Sequence, residues 1–150
     1  MPEKKTIESA KQDKREGKAP STQAGEFVRE EMDHVREGKH GARSAKQAIA
    51  IGLSKARRAG VKLAPPRKGE APERTRAQAV RDIAKGSRPS DAPSRKRSRA
   101  ASSALKREGQ AAASHAALSR QAHSSAQSRG ASSRSKAAKK AARTRARRPR

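Results

Sequence analysis

The sequence of 150 residues contains no cysteine and a single aromatic residue, Phe27. Without cysteine, the chain forms neither a disulfide framework nor a cysteine-ligated zinc finger. With one aromatic side chain, it lacks the stacking platform on which single-strand binders and RRM-type domains hold bases. No apolar run approaches the ~18 residues of a membrane span, and the N-terminus lacks the apolar stretch of a secretory signal. We therefore expect a cytoplasmic protein without a membrane partner.

Large apolar residues are also scarce, and their distribution predicts the fold. Fourteen follow Met1, and nine of these lie between Phe27 and Leu63. From Ser87 onward the large apolar residues are Leu105 and Leu118, too few to offset chain entropy by burial. We predict a mainly α fold with a short helical hairpin at about 22–63, flanking weak helices and a long disordered basic C-terminal tail. The predicted zones are a charged arm (1–20), the hairpin module (21–66), a linker with a short helix (67–86) and the tail (87–150).

The first hairpin helix is predicted from about Thr22 to Glu37. Ser21 or Thr22 is expected to cap it, and Gly38 is expected to end it. Its apolar face contains Ala24, Val28, Met32 and Val35, with Phe27 at the edge. The acidic residues Glu26, Glu30, Asp33 and Glu37 and the basic Arg29 are assigned to the polar face.

The second hairpin helix is predicted to begin at a capping box, Ser44 with Gln47 three residues later. It extends to about Ala59 and stops at Gly60, while Gly52 permits close backbone approach. An alternative is a helix-turn-helix whose turn lies near Gly52, with 54–58 as the reading helix and Gln47 contacting adenine. The capping box favours one continuous helix. A weaker helix is predicted from Pro72 to about Lys85, with Val80 and Ile83 as its narrow apolar face.

The formal net charge is +25, and residues 100–150 carry thirteen basic residues and one acid. Such an excess favours a polyanionic partner, because Lys and Arg displace counterions from nucleic-acid phosphates. Candidate contacts in the hairpin are Lys46, Lys55, Arg57 and Arg58. Candidate contacts in the tail are Arg95, Lys96, Arg97, Lys136, Lys139, Lys140, Arg143, Arg145, Arg147 and Arg148.

Catalytic and metal chemistry are not indicated by the sequence. The histidines and serines form no nucleophile–base pattern, so we predict no catalytic residues and no enzyme. His34 and His40 lie on either side of Gly38, near Asp33 and Glu37. Structural metal sites have closer spacing and typically four ligands, and we therefore predict no metal and no cofactor.

Residues 26–63, EFVREEMDHVREGKHGARSAKQAIAIGLSKARRAGVKL, resemble the core of a family of small basic bacterial proteins. That family is catalogued mainly as a domain of unknown function, so the resemblance implies no catalytic residues. Separately, the Ala/Lys/Arg/Ser tail resembles the C-terminal arms of linker histones and histone-like bacterial proteins.

These observations predict largely sequence-independent DNA binding by a nucleoid-associated, histone-like protein. RNA or ribosome association is an alternative, because charge alone does not separate DNA from RNA. A second alternative is an adaptor whose hairpin binds a protein partner while the tail tethers it to DNA. A homodimer formed through the hairpin also remains open.

Overall fold

The computed structural model describes residues 1–87 and 94–146 and confirms a mainly helical chain. Within these residues there are seven α-helices: α1 Lys4–Arg15, α2 Pro20–Arg36, α3 Ala45–Arg58, α4 Glu73–Gly86, α5 Arg95–Lys106, α6 His115–Ser128 and α7 Gly130–Ala146. The chain divides into two compact units, Met1–Ser114 and His115–Arg150.

The centre of the first unit is the packing of α2 against α3, with α1 against α2. Phe27 and Ala56 are buried between the helices, together with Ala10 and Val61. Gly52 permits the close approach predicted for it, because a Cβ there would lie 2.7 Å from the Cα of Val28. The sequence predicts Phe27 at the edge of the apolar face of its helix. In the structure, this lone aromatic residue is instead buried in the core.

The start of α2 corrects the predicted cap. The helix begins at Pro20 and its N-cap is Ala19, whereas neither Ser21 nor Thr22 caps it. Proline suits the first helical position because its fixed φ is already helical and its missing N–H needs no partner there. The polar face is corrected too: Glu30, assigned to it, is 7 % exposed.

The start of α3 confirms the capping box. The Ser44 hydroxyl accepts from the backbone N–H of Gln47 at 3.2 Å, and the Gln47 side chain accepts from the N–H of Arg43 at 2.8 Å. The helix then continues without a turn through Gly52 to Arg58. The helix-turn-helix alternative is therefore wrong, since its turn would have to interrupt this helix. Gly60, in a left-handed conformation (φ +89°), follows the end of the helix.

The fourth helix packs on α3, and the buried residues on it are Ala79 and Asp82, whereas the predicted Val80–Ile83 pair is exposed at Val80 and half-buried at Ile83. Val80 is 49 % exposed, whereas Asp82 is 1 % exposed. The Asp82 carboxylate accepts from the Ser54 hydroxyl and from Arg58 Nε, which both belong to α3. A buried carboxylate with several donors can anchor a helix whose apolar face is narrow.

The prediction of a long disordered tail from residue 87 is wrong for the described residues, which form α5, α6 and α7. Residues 105–113 of the predicted tail belong to the first unit and pack inside it. The N–H of Gly41 donates to the carbonyl of Leu105 at 2.9 Å, and Arg36 Nε donates to the carbonyl of Ala113 at 3.1 Å. Ala112 and Ala113 are buried. The prediction rests on large apolar side chains as the source of burial, whereas here small alanines are buried and backbone carbonyls accept hydrogen bonds from the first unit's other residues.

The second unit contains α6 and α7, joined at Gly130 in a left-handed conformation (φ +69°). A guanidinium nitrogen of Arg134 on α7 donates to the carbonyl of Ala126 on α6 at 2.8 Å. No residue of either helix is buried. Alanine, the best helix former, is frequent in both sequences and supports helices without a core.

Candidate nucleic-acid interface

The most basic element described is α7. It contains six basic residues and no acid, and every residue from 130 to 146 is exposed. At 100° per residue, four of these bases fall within a sector of about 100°. They are Lys136, Lys139, Lys140 and Arg143. We refer to these four residues as the α7 basic face.

The α7 basic face brings like charges close together. Lys136 and Lys140 are four residues apart, as are Lys139 and Arg143, and side chains at this spacing are neighbours on a helix. Like-charged pairs at this spacing destabilise a helix by roughly 0.2–0.5 kcal/mol each. The helix has no burial with which to offset this repulsion. A polyanion that neutralises the face would therefore also stabilise the helix.

The opposite side of α7 carries two further bases. Arg145, a predicted contact, lies on that side, and so does Arg134, eleven residues earlier, which was not among the predicted contacts. Arg134 is exposed on the same helix as the predicted bases. Arg134 could have been predicted from the sequence, because it lies in the same stretch without acidic residues as Lys136 and the predicted bases that follow. Arg147 and Arg148 lie outside the described residues.

Arg95, Lys96 and Arg97 form the first turn of α5 and are exposed. Cations at this end of a helix are unfavourable, because the macrodipole places partial positive charge there. No side chain caps the N-terminus of α5. An anion near this turn would interact favourably with both the three side chains and the helix end.

The basic residues predicted in the hairpin are mostly engaged inside the first unit. Lys55 Nζ lies 2.6 Å from Glu31 Oε2, and Arg58 Nε lies 3.0 Å from Asp82 Oδ1. Lys46, in contrast, is exposed on the first turn of α3. The structure therefore places Lys46 at the surface, Lys55 in an ion pair between α3 and α2, and Arg58 half exposed while paired with Asp82 on α4.

Arg57 is the most enclosed of the predicted contacts, with 8 % of its surface exposed. Its guanidinium donates to the backbone carbonyls of Leu63 and Ala64, each at 3.3 Å. Burial lowers the pKa of Arg57, while the charge of Asp82 acts in the opposite direction. Through these two hydrogen bonds, Arg57 holds the segment that follows α3 against the end of that helix.

No helix among the described residues is long and apolar enough to cross a membrane. Neither a curated protein nor a solved structure matches the chain. The α7 basic face lies beyond the residues that a known family covers. The model of a family of unknown function (DUF6496) matches residues 3–68, and the segment that contains α1, α2 and α3 is thus similar to that family.

Proposed function

We propose that the protein is a non-enzymatic DNA-binding protein of the nucleoid, with little sequence preference. The observation that carries the proposal is the α7 basic face, four exposed cations on one side of a helix that has no acid. Its alanine and serine spacers are small, which permits close approach to a sugar–phosphate backbone. Backbone contacts of this kind position a protein on DNA without reading its bases.

The affinity is expected to come mainly from counterion release. With about eight to twelve phosphates engaged, log K falls with log salt at a slope of about −7 to −11. The α7 basic face supplies four of these contacts. The remainder are assigned to Lys46, to Arg95, Lys96 and Arg97, and to Arg145, Arg147 and Arg148.

The proposal is tested by salt-titrated binding of the full-length chain to duplex DNA and to RNA of matched length. The test variant replaces all four residues of the α7 basic face with Gln. Its matched control replaces four exposed lysines of α1 with Gln: Lys4, Lys5, Lys11 and Lys14. Both variants lose the same formal charge, so they separate the position of the charge from its amount.

We expect the α7 variant to make the salt slope shallower by about 3–4, at ~0.9 per phosphate contact, and the α1 control to leave it nearly unchanged. Equal losses in the two variants would mean that net charge alone attracts the polyanion. A slope shallower than about −3 for the unmodified chain would remove α7 from the mechanism. Tighter binding to RNA than to DNA would favour the ribosome or RNA alternative.

The adaptor alternative has one observation in its favour. A cavity of about 470 Å³ lies between α3 and α4, lined in part by Leu53 and Ala79. A protein partner bound there would still be recovered with the α7 variant after DNA binding has been lost. Loss of every partner together with DNA binding would rule against the adaptor.

A further inference from the structure

A cluster of two histidines and one glutamate lies at the end of α2. Glu31 and His34 are three residues apart on this helix and therefore share a face, while His40 follows in the turn before α3. One donor atom from each residue lies within 4.8 Å of the other two. Glu31 is fully buried, and the side chains of His34 and His40 are 13 % and 17 % exposed.

The hydrogen bond of His40 determines which of its two ring nitrogens carries the hydrogen in the neutral ring. His40 Nδ1 lies 3.1 Å from the carbonyl oxygen of Gly41. A carbonyl oxygen only accepts, so Nδ1 carries the hydrogen, and in the neutral ring Nε2 is a lone-pair acceptor. That nitrogen lies 3.4 Å from Oε1 of Glu31, which is also an acceptor.

Two acceptors that face each other in a buried site are unfavourable unless a proton or a metal ion lies between them. Neither oxygen of Glu31 accepts a hydrogen bond of normal geometry from residues 1–87 or 94–146. Lys55 Nζ lies 2.6 Å from Oε2 and compensates the charge on that side of the carboxylate. The side formed by Oε1 and His40 Nε2 has no such compensation from Lys55.

We propose that Glu31, His34 and His40 bind one divalent transition-metal ion, with Zn²⁺ as the best fit. Two imidazoles and one carboxylate are a donor set that suits zinc better than magnesium or calcium. Tetrahedral zinc with bonds of about 2.1 Å holds its donor atoms roughly 3.4 Å apart, the separation seen between Glu31 Oε1 and His40 Nε2. Donation from the other ring nitrogen to a carbonyl is the usual support for a ligating histidine.

The surface beside the cluster provides a path for a cation. An open cavity of about 250 Å³ adjoins His34 and is lined by five carboxylates, those of Glu3, Glu26, Glu30, Asp33 and Glu37, and by three basic residues, Lys5, Arg29 and Lys39. His34 Nε2 lies 3.0 Å from Glu3 Oε1. Within a strongly basic protein, the cavity next to the donor set thus has five acids against three bases.

Two features kept this site from the sequence prediction. Asp33 and Glu37 are the carboxylates nearest to the two histidines in the sequence, but Asp33 is half-buried and Glu37 is exposed, whereas the carboxylate of the cluster is the buried Glu31. The spacing Glu-x-x-His is a metal-binding pattern on helices, but it needs a third ligand from elsewhere. That ligand, His40, is brought near only by the turn between α2 and α3.

The test uses the full-length chain, stripped of metal with a chelator and then titrated with Zn²⁺ by calorimetry and with Co²⁺ by visible absorption. We expect one ion per chain, a tetrahedral Co²⁺ spectrum and a higher melting temperature with Zn²⁺. Replacement of the half-buried ligands, His34→Gln or His40→Gln, should weaken Zn²⁺ affinity by at least about tenfold. The matched control, His115→Gln with His123→Gln, removes two histidines of the second unit and should leave the affinity unchanged.

Three outcomes would overturn the site. One is no saturable binding of Zn²⁺ or Co²⁺ to the stripped chain. A second is equal affinity in the unmodified chain and in both ligand variants, because the ion would then sit elsewhere. The third is an NMR spectrum in which His40 stays an imidazolium in excess Zn²⁺. A proton on Nε2, and not a metal ion, would then lie between His40 and Glu31. None of these measurements involves nucleic acid, so they are independent of the proposed DNA binding.

Discussion

Arg58 on α3 donates from Nε to Oδ1 of Asp82 on α4 at 3.0 Å, and this carboxylate is almost completely buried. The same carboxylate accepts from the Ser54 hydroxyl at 2.5 Å and from the Gln78 side chain at 3.1 Å. Three donors therefore converge on one buried acceptor. This acceptor attaches a helix with an exposed Val80 to the hairpin.

Replacing that acceptor should loosen α4. Asp82→Ala leaves the donors without their shared partner, and we expect the free energy of unfolding to fall by about 1–3 kcal/mol. Asp33→Ala is the control, because Asp33 is half exposed and pairs with Arg36 at the surface; its cost should stay below about 1 kcal/mol. Urea unfolding of both variants measures the difference. Equal costs would show that Asp82 does not anchor α4.

Two helical glycines should respond to alanine with opposite signs. Gly52→Ala places a Cβ 2.7 Å from the Cα of Val28, so we expect overpacking to lower the free energy of unfolding by about 1–3 kcal/mol. In Gly25→Ala, on α2, the new Cβ meets nothing within 4 Å, and the higher helix propensity of alanine should raise the free energy of unfolding by about 0.5–1 kcal/mol. Thermal unfolding separates the two variants. A gain in both would mean that α2 and α3 do not pack at Gly52.

The contact between the turn before α3 and residues 105–113 can be tested at Gly41. A Cβ at this position would overlap the backbone carbonyl of Glu108. We expect Gly41→Ala to release the segment, so that the amide hydrogens of Gly41's neighbour Ala42 and of Ala113 exchange faster by at least about tenfold. Gly109→Ala, which meets nothing within 4 Å, is the control. Unchanged exchange at Ala42 in the Gly41 variant would contradict the packing.

Helix stability and DNA affinity should separate on α7. Lys136→Glu places an acid four residues before Lys140, an orientation that stabilises a helix by about 0.2–0.5 kcal/mol, and it removes a like-charge repulsion. Helicity by far-UV circular dichroism should therefore rise while DNA affinity falls. Lys136→Gln removes the repulsion without adding an attraction, and its helicity should be intermediate. A parallel fall of helicity and affinity in the Glu variant would contradict this separation.

The ends of the helices could be predicted from sequence because their causes are local. Gly17, Gly38 and Gly60 each follow a helix in a left-handed conformation, as expected from glycine after a periodic segment. The capping box at Ser44 was also recognisable, because all its atoms lie within four residues. Where a local choice existed, as at Pro20 against Ser21, the stiffer residue determined the start of α2.

The sequence by itself thus determined a helical chain, its boundaries within one or two residues over the hairpin, and a cationic C-terminal region. Only the tertiary structure decided that Glu31 and Asp82 are buried and that Ala113 is covered. Acidic residues are usually exposed, and alanine occurs both in cores and at surfaces. Neither residue type therefore indicates burial in a sequence pattern. Their burial depends on partners brought from other helices, such as Lys55 and Arg58. Those contacts exist only after the helices have packed.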